Sequence, residues 1–408
     1  MQRLVALVAE SCILVASFCL GACGEDTNLK RLYEGHRWFE LREAVAKGSA
    51  PALYQGAVAC AFNDLHQCEK ILKPLLTHER ESPFAIEAHT LLAAAYLRCG
   101  KYRQALAETD AVLALSPKDS AVSGDRPLLV HLSRFPEQKI VRGRFTTLRL
   151  EESGLPVTVN GVHTTYWIDT GANVSVISER EAKRFGLQIV DGTIRIGDVT
   201  GTELPSRVAV ADKMSIGSIR LKHVAFLILS DSQPPFNQSQ PGEGGLIGLP
   251  VILALQRLVW RADRTFEIDS RVRNKSTPKA NMCFDGQHPV VQVEFENHEL
   301  AFTLDTGSTS TELYPQFAAA FPELIRTASR TGAYKMEGAG GSKNMDAAVL
   351  PSLHFGIAGF QVVLSPAGVL LSNTVENSKF FDGNLGIDLL QQTHKTIFDF
   401  KAMNLTLE

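Results

Sequence analysis

Dense runs of lysine or arginine, paired cysteines at metal-binding spacing, and long apolar segments beyond the N-terminus are all missing from this 408-residue chain. Its 41 basic and 44 acidic residues give a formal net charge of −3 at pH 7, so there is no electrostatic footprint for nucleic acid and no nucleic-acid partner is expected. With no C-x-x-C and no histidine spaced to complete a cysteine site, neither a metal nor another cofactor is expected. His223, His288 and His298 are scattered without serine or cysteine partners, which predicts core or surface roles for them. Cysteine is sparse as well. Of seven, Cys12, Cys19 and Cys23 lie near the start, leaving Cys60, Cys68, Cys99 and Cys283. An oxidising compartment would let Cys60 and Cys68 pair across two adjacent helices; buried, reduced cysteines fit equally well.

What is present begins with an address. Arg3 supplies a positive charge before a mostly apolar stretch from Leu4 to Leu20, interrupted by Glu10, and this reads as an export signal. The stretch ends in Leu20-Gly21-Ala22-Cys23, which resembles the lipobox of bacterial lipoproteins. That resemblance implies removal of residues 1–22, lipid on Cys23 and a membrane-anchored protein of the cell envelope facing the periplasm, with Gly24 favouring the outer membrane over the inner. A simple secretory signal cut nearby, or an uncleaved anchor, remains open. After it, no apolar run is long enough to cross a bilayer as a helix.

The 45% hydrophobic content is enough for two to three folded units. Residues 23–117 carry a helical period. Ala88, Leu91, Leu92, Ala95 and Tyr96 share one face, Cys99-Gly100-Lys101-Tyr102 breaks the pattern, and Ala105, Leu106, Val112 and Leu113 line the next helix before Ser116-Pro117. Ala52 to Leu76 reads as a divergent copy and Trp38 to Ala46 as the end of another. The small residues and the turn glycine resemble a tetratricopeptide repeat. Such helices would either present a groove to a protein partner or act as a spacer between membrane and downstream unit. Residues 118–144, richer in serine, proline and charge, read as a linker.

Beyond the linker the period changes to short alternating strands, as at Val157 and Val159, Ile194 and Ile196, Val208 and Val210. The pattern then repeats. Trp167-Ile168-Asp169-Thr170-Gly171 aligns with Thr303-Leu304-Asp305-Thr306-Gly307 at an offset of 136, and Leu246-Ile247-Gly248-Leu249 aligns with Asn384-Leu385-Gly386-Ile387 at an offset of 138. Each copy closes with a β-like tail, Leu258 to Ile268 and Thr396 to Leu407. A duplicated β-unit follows: residues 145–270 and 287–408, joined by a linker over 271–286.

A single Asp-Thr-Gly is weak evidence, because it is also an ordinary turn after a strand. Two copies, each with an apolar strand before, an apolar run after and an apolar-apolar-Gly motif at matched distance, resemble aspartic peptidases of the retropepsin and pepsin type. The likeness covers about Leu148 to Glu408, with retropepsin lobe size and pepsin connectivity. The fold class it implies is multidomain: an N-terminal α-helical, tetratricopeptide-like repeat followed by a bilobal all-β aspartic-peptidase fold of two retropepsin-like lobes. Asp169 and Asp305 would form the catalytic pair, so no dimer is required to complete it.

Two close carboxylates cannot both ionise cheaply, so they share a proton and one acts as base while the other acts as acid. A water between them could then hydrolyse a peptide bond of a protein or peptide substrate. Gly171 and Gly307 are expected to let the backbone approach the carboxylates. By resemblance, Thr170 and Thr306 would bond across the two loops, while Gly248 and Gly386 let strands pass beneath. Ser308 offers a hydroxyl to Asp305 where Ala172 offers Asp169 none, which predicts Asp305 as the more ionised member. Flaps are expected at Gly197, Thr200 and Gly201 in the first copy and at Gly338, Gly340 and Gly341 in the second, unless these are ordinary surface hairpins. Pro250 stands where the second copy has Asp388. The rival reading is a catalytically silent peptidase fold serving as a protein-binding scaffold.

Overall fold

The computed structural model describes residues 27–78, 83–198, 200–271, 279–372 and 376–408. The proposed signal and Cys23 lie outside the described residues. No described helix is long and apolar enough to cross a membrane.

Helices come first: Trp38–Lys47, Ala52–Ala61, Leu65–His78, Pro83–Arg98 and Tyr102–Leu115. The turns inside the two hairpins share one design. After Ala61, Asn63 takes φ 59° while Asp64 N–H bonds Ala59 C=O at 2.9 Å; after Arg98, Gly100 takes φ 71° while Lys101 N–H bonds Tyr96 C=O at 2.9 Å. A left-handed residue at this position satisfies the last free carbonyls of a helix. Ala88, Leu92, Ala95 and Tyr96 are buried on the predicted face. A Cβ on Gly56 would stand 2.2 Å from Leu72 Cδ2, so glycine is what allows the first hairpin to close this tightly. Cys60 and Cys68 form a disulfide across it, with Cα atoms 5.1 Å apart.

The segment read as a linker over 118–144 is folded. Helix Arg126–Leu132 buries Leu128, Leu129 and Leu132, and strand Lys139–Arg142 pairs with Ile219–Lys222 at the edge of the first β-sheet. Burial of the three leucines outweighs the Ser and Pro content of the segment. The second linker needs the same correction: Met282–Asp285 is a strand paired with His288–Phe295, so the second lobe begins before residue 287.

Among the described residues two half-barrel sheets follow, each of ten strands, and a five-stranded sheet joins them. In that joining sheet Phe145–Arg149, Thr265–Asp269 and Arg257–Arg261 come from the first lobe, while Lys395–Asp399 and Asn404–Leu407 come from the second. The two β-like tails therefore hold the lobes to each other, with Leu258 opposite Phe398 and Val259 opposite Ile397. Alternation explains each hairpin: in Leu155–Val159, Leu155, Val157 and Val159 are buried and Pro156 and Thr158 only partly so. Its Asn160-Gly161 turn has φ of 47° and 89°, both left-handed, as a two-residue hairpin turn demands.

Side-chain hydrogen bonds tie the helical unit to the second lobe. Arg98, buried, donates to Gly286 C=O at 2.7 Å and to Cys60 C=O, and lies 4.6 Å over the Phe284 ring. Asn63 Nδ2 donates to Phe400 C=O at 2.9 Å, and Gln287 donates to Asp125 at 2.7 Å.

Candidate active site

Equivalent crossings in the two lobes position the aspartates. Strand Val162–Ile168 runs parallel to Gly245–Ile247, and Asp169 N–H bonds Ile247 C=O at 3.0 Å. Strand His298–Leu304 runs parallel to Gly383–Leu385, and Asp305 N–H bonds Leu385 C=O at 3.0 Å. Gly248 and Gly386 sit where these strands pass under the aspartate loops. A Cβ at Gly248 would meet the Val174 carbonyl carbon at 2.6 Å, and one at Gly386 the Ser310 carbonyl carbon at 2.6 Å. Backbone cannot yield as a side-chain tip does, so both positions require glycine.

The threonines lock the loops to each other. Thr170 Oγ1 accepts from Thr306 N–H at 3.0 Å and donates to Leu304 C=O at 2.8 Å; Thr306 Oγ1 accepts from Thr170 N–H at 3.1 Å and donates to Ile168 C=O at 2.7 Å. All four bonds are buried, and they bring Asp169 and Asp305 together. The two carboxyls share a hydrogen bond, and each remains partly open to solvent.

The glycines of the triplets serve a purpose beyond the one expected. Neither Gly171 nor Gly307 has a left-handed φ. Gly171 N–H donates to Asp169 Oδ1 and Gly307 N–H to Asp305 Oδ1, both at 2.9 Å. A Cβ on Gly171 would stand 2.7 Å from Asp305 Oδ1, and one on Gly307 2.6 Å from Asp169 Cγ. Each glycine thus makes room for the aspartate of the opposite lobe.

The two carboxyls are not equivalent. Burial, then the facing Asp305 charge, push Asp169 well above the usual carboxylate range, against the N–H groups of Gly171 and Ala172. Burial also raises Asp305, but the N–H of Gly307, the bond with Asp169, the N–H of Ser308 and nearby His288 pull it back. Both carboxyls are therefore raised, and the opposing pulls fall more on Asp305 than on Asp169. The Ser308 hydroxyl expected beside Asp305 donates to Ser310 C=O at 2.8 Å instead. Asp388 accepts from Thr311 at 2.7 Å, and Thr311 Oγ1 accepts from Gly386 N–H at 3.0 Å; in the first lobe Ser175 Oγ accepts from Gly248 N–H at 3.1 Å, with Pro250 in the place of the carboxylate.

Both flap candidates are hairpin tips, and the tips touch. Between strands Ile194–Gly197 and Glu203–Ala211, Asp198 Oδ1 accepts from Thr200 N–H at 3.0 Å, Thr200 Oγ1 at 2.7 Å and Thr202 N–H at 3.0 Å. Its other oxygen accepts from Gly340 N–H at 2.7 Å, at the tip joining Ser329–Gly338 to Gly341–Leu350. Gly201 and Gly341 take left-handed φ of 78° and 109°, whereas nothing lies within 4 Å of a Cβ at Gly197. Two residues escaped the sequence reading. Asp198 was inside the named tip but not singled out, and His288 was set aside as scattered, although its hairpin register leads to Asp305.

Residues 155–251 match the aspartyl protease family model. The aspartyl protease match takes in Asp169, its Thr170-Gly171 loop, the hairpin tip at Asp198 and Gly248, and ends before Asp305. A retropepsin-like aspartic protease from Rickettsia conorii is similar over 33% of this chain and 96% of that chain, with 12% identity and a TM-score of 0.22. No curated protein matches the chain.

Proposed function

We propose that this protein is an aspartic endopeptidase whose Asp169 and Asp305 activate one water against a peptide bond. The observation that carries the reading is the reciprocal bonding of Thr170 and Thr306, which holds one aspartate from each copy in a single hydrogen-bonded pair. Ionised Asp305 takes a proton from the water as its oxygen attacks the scissile carbonyl carbon, and Asp169 gives its proton to the carbonyl oxygen. A neutral tetrahedral diol results, and Asp305 now carries a proton. Transfer of that proton to the amide nitrogen, cleavage of the C–N bond and return of one diol proton to Asp169 yield a carboxylic acid and an amine. The tips at Asp198 and Gly340 act as flaps, parting to admit an extended peptide and closing to exclude water.

We read the chain as an exported lipoprotein anchored through Cys23, with a tetratricopeptide-like helical unit between anchor and lobes. Replacing Cys23 by serine should release the protein from the membrane fraction; retention there would overturn the anchor.

The test of the activity is cleavage of a diverse peptide library by the chain lacking residues before Gly24, across acidic to neutral pH, beside Asp169→Asn and Asp305→Asn. Cutting by the parent alone supports the dyad. A folded parent that never cuts moves the silent scaffold to the front.

A further inference from the structure

The turn joining Met282–Asp285 to His288–Phe295 lies where the helical unit meets the dyad. Val290 pairs with Thr303 in the antiparallel register of the second lobe. Extending that register by two residues sets His288 opposite Asp305. The equivalent place in the first lobe is Glu152, which is exposed and outside any strand, so the histidine belongs to one aspartate only.

His288 in turn pairs across the turn with Asp285. Asp285 is buried, and its Oδ1 is bonded by His36 Nδ1 at 2.7 Å and Trp38 Nε1 at 3.0 Å, both from the helical unit. The His36 ring also stacks on Phe380 of the second lobe, centroids 3.7 Å apart. The next two residues of the turn are held as well, Gly286 by Arg98 and Gln287 by Asp125.

We propose that His288 is a positioning residue for the dyad: opposite Asp305 by strand register, on a turn whose Asp285 the helical unit grips, it fixes Asp305 as the basic member. The proposal rests on the peptidase reading. It assigns the helical unit a part in the chemistry, since Trp38 and His36 reach the reacting pair through Asp285 and His288.

Charge gives the expected sign. Burial lowers the His288 pKa, while Asp285 and Asp305 draw it up. The imidazole is thus neutral near pH 7 and becomes cationic on acidification, when its charge opposes protonation of Asp305. The other ionisable groups around the turn are Cys283, whose thiol burial pushes well up, Tyr33, which burial likewise raises, His36, Arg98 and Asp125.

The first measurement is an NMR titration of the histidine rings in the full mature chain, with the His288 signal assigned by its loss in His288→Gln. In Asp305→Asn, and separately in Asp285→Asn, the His288 midpoint should fall by about half a pH unit or more. A midpoint unmoved by Asp305→Asn overturns the proposal, whether or not the chain cleaves peptides. The second measurement is the pH profile of kcat/KM on a library peptide. His288→Gln should move the acid limb up by about half to one unit, and His288→Lys should restore it. A changed KM with an unmoved limb would make His288 a mere wall of the cleft and overturn the proposal. Absence of any cleavage would instead sink the peptidase reading, and the NMR titration would still decide whether His288 and Asp305 sense each other.

Discussion

Thr170 and Thr306 exchange hydrogen bonds across the lobe boundary, each hydroxyl accepting from the other residue's backbone N–H at 3.0 to 3.1 Å. Because each hydroxyl also donates to a carbonyl of the opposite lobe, neither aspartate loop can shift without breaking bonds in both. A single chain thereby carries both partners of the exchange, one on each lobe.

Thr306→Val keeps the shape of the side chain but orphans the Thr170 N–H and the Ile168 C=O, both buried. Leaving a buried group unsatisfied costs about 1–3 kcal/mol. The variant should lose roughly 2–4 kcal/mol in urea unfolding, and Thr170→Val should behave alike. The double variant should lose less than the sum, because both substitutions break one network. Strict additivity would show that the bonds act independently.

Gly307→Ala separates fit from folding. Its new methyl would meet the Asp169 carboxyl, whose carbon lies 2.6 Å from that position, and no left-handed φ adds strain. The chain should fold with a near-native circular dichroism spectrum while kcat falls by about a hundredfold or more, as misplacement of about 1 Å at reacting groups does. Full activity in Gly307→Ala would contradict the close approach of the two carboxyls.

Much of this site was legible in the chain because its motif occurs twice: the offset near 136 residues fixed which aspartates, threonines and glycines correspond. The helix break at Gly100 was legible for a similar local reason, a left-handed residue at a helix end. Long-range pairings were not. That Gly171 leaves room for Asp305 and that Asp198 reaches Gly340 depend on how two lobes dock, while the turn of the Ser308 hydroxyl to Ser310 depends on the backbone geometry of one loop. The folded linker at Arg126–Leu132 was missed because a seven-residue helix shows too few turns for periodicity to register against Ser and Pro.

Stability should record the Asp169 proton. A carboxyl whose folded pKa lies above its unfolded value binds more protons when folded, so its contribution to stability falls as pH rises from the ordinary carboxylate range through the raised one. Asp169→Asn removes that group. Its melting temperature should exceed the parent's at neutral pH, and the gap should close on acidification, although cleavage is abolished throughout. A gap that widens toward acid would reverse the assignment of the proton.

Asp198 joins the two hairpin tips through one carboxylate that serves its own turn with one oxygen and Gly340 with the other. A hydrogen bond to a charged group contributes about 1.5–3 kcal/mol, and Asp198→Ala removes both the turn and the bridge. We expect kcat/KM to fall about tenfold or more, with the Gly340 amide resonance shifted. In Asp198→Asn the amide oxygen can still accept within the turn while its NH2 faces the Gly340 N–H, so the turn should survive and the bridge be lost. If alanine and asparagine variants both retain full kcat/KM, the tips do not close over substrate.

The disulfide Cys60–Cys68 closes a short loop between Ala52–Ala61 and Leu65–His78, and the same Cys60 offers its carbonyl to buried Arg98 at the seam with the second lobe. For a loop of this length the chain-entropy model gives roughly 2–3 kcal/mol of stabilisation. Cys68→Ala should therefore lower the stability of the helical unit by about that amount. Because Arg98 also holds Gly286, beside Asp285, loosening should spread to the turn that carries His288. Hydrogen exchange should then show faster labelling in two places, the helices of residues 52–78 and the turn at 285–288. Protection lost in the helices alone would mean that the seam holds without the disulfide, and that the helical unit reaches the dyad only through Trp38 and His36.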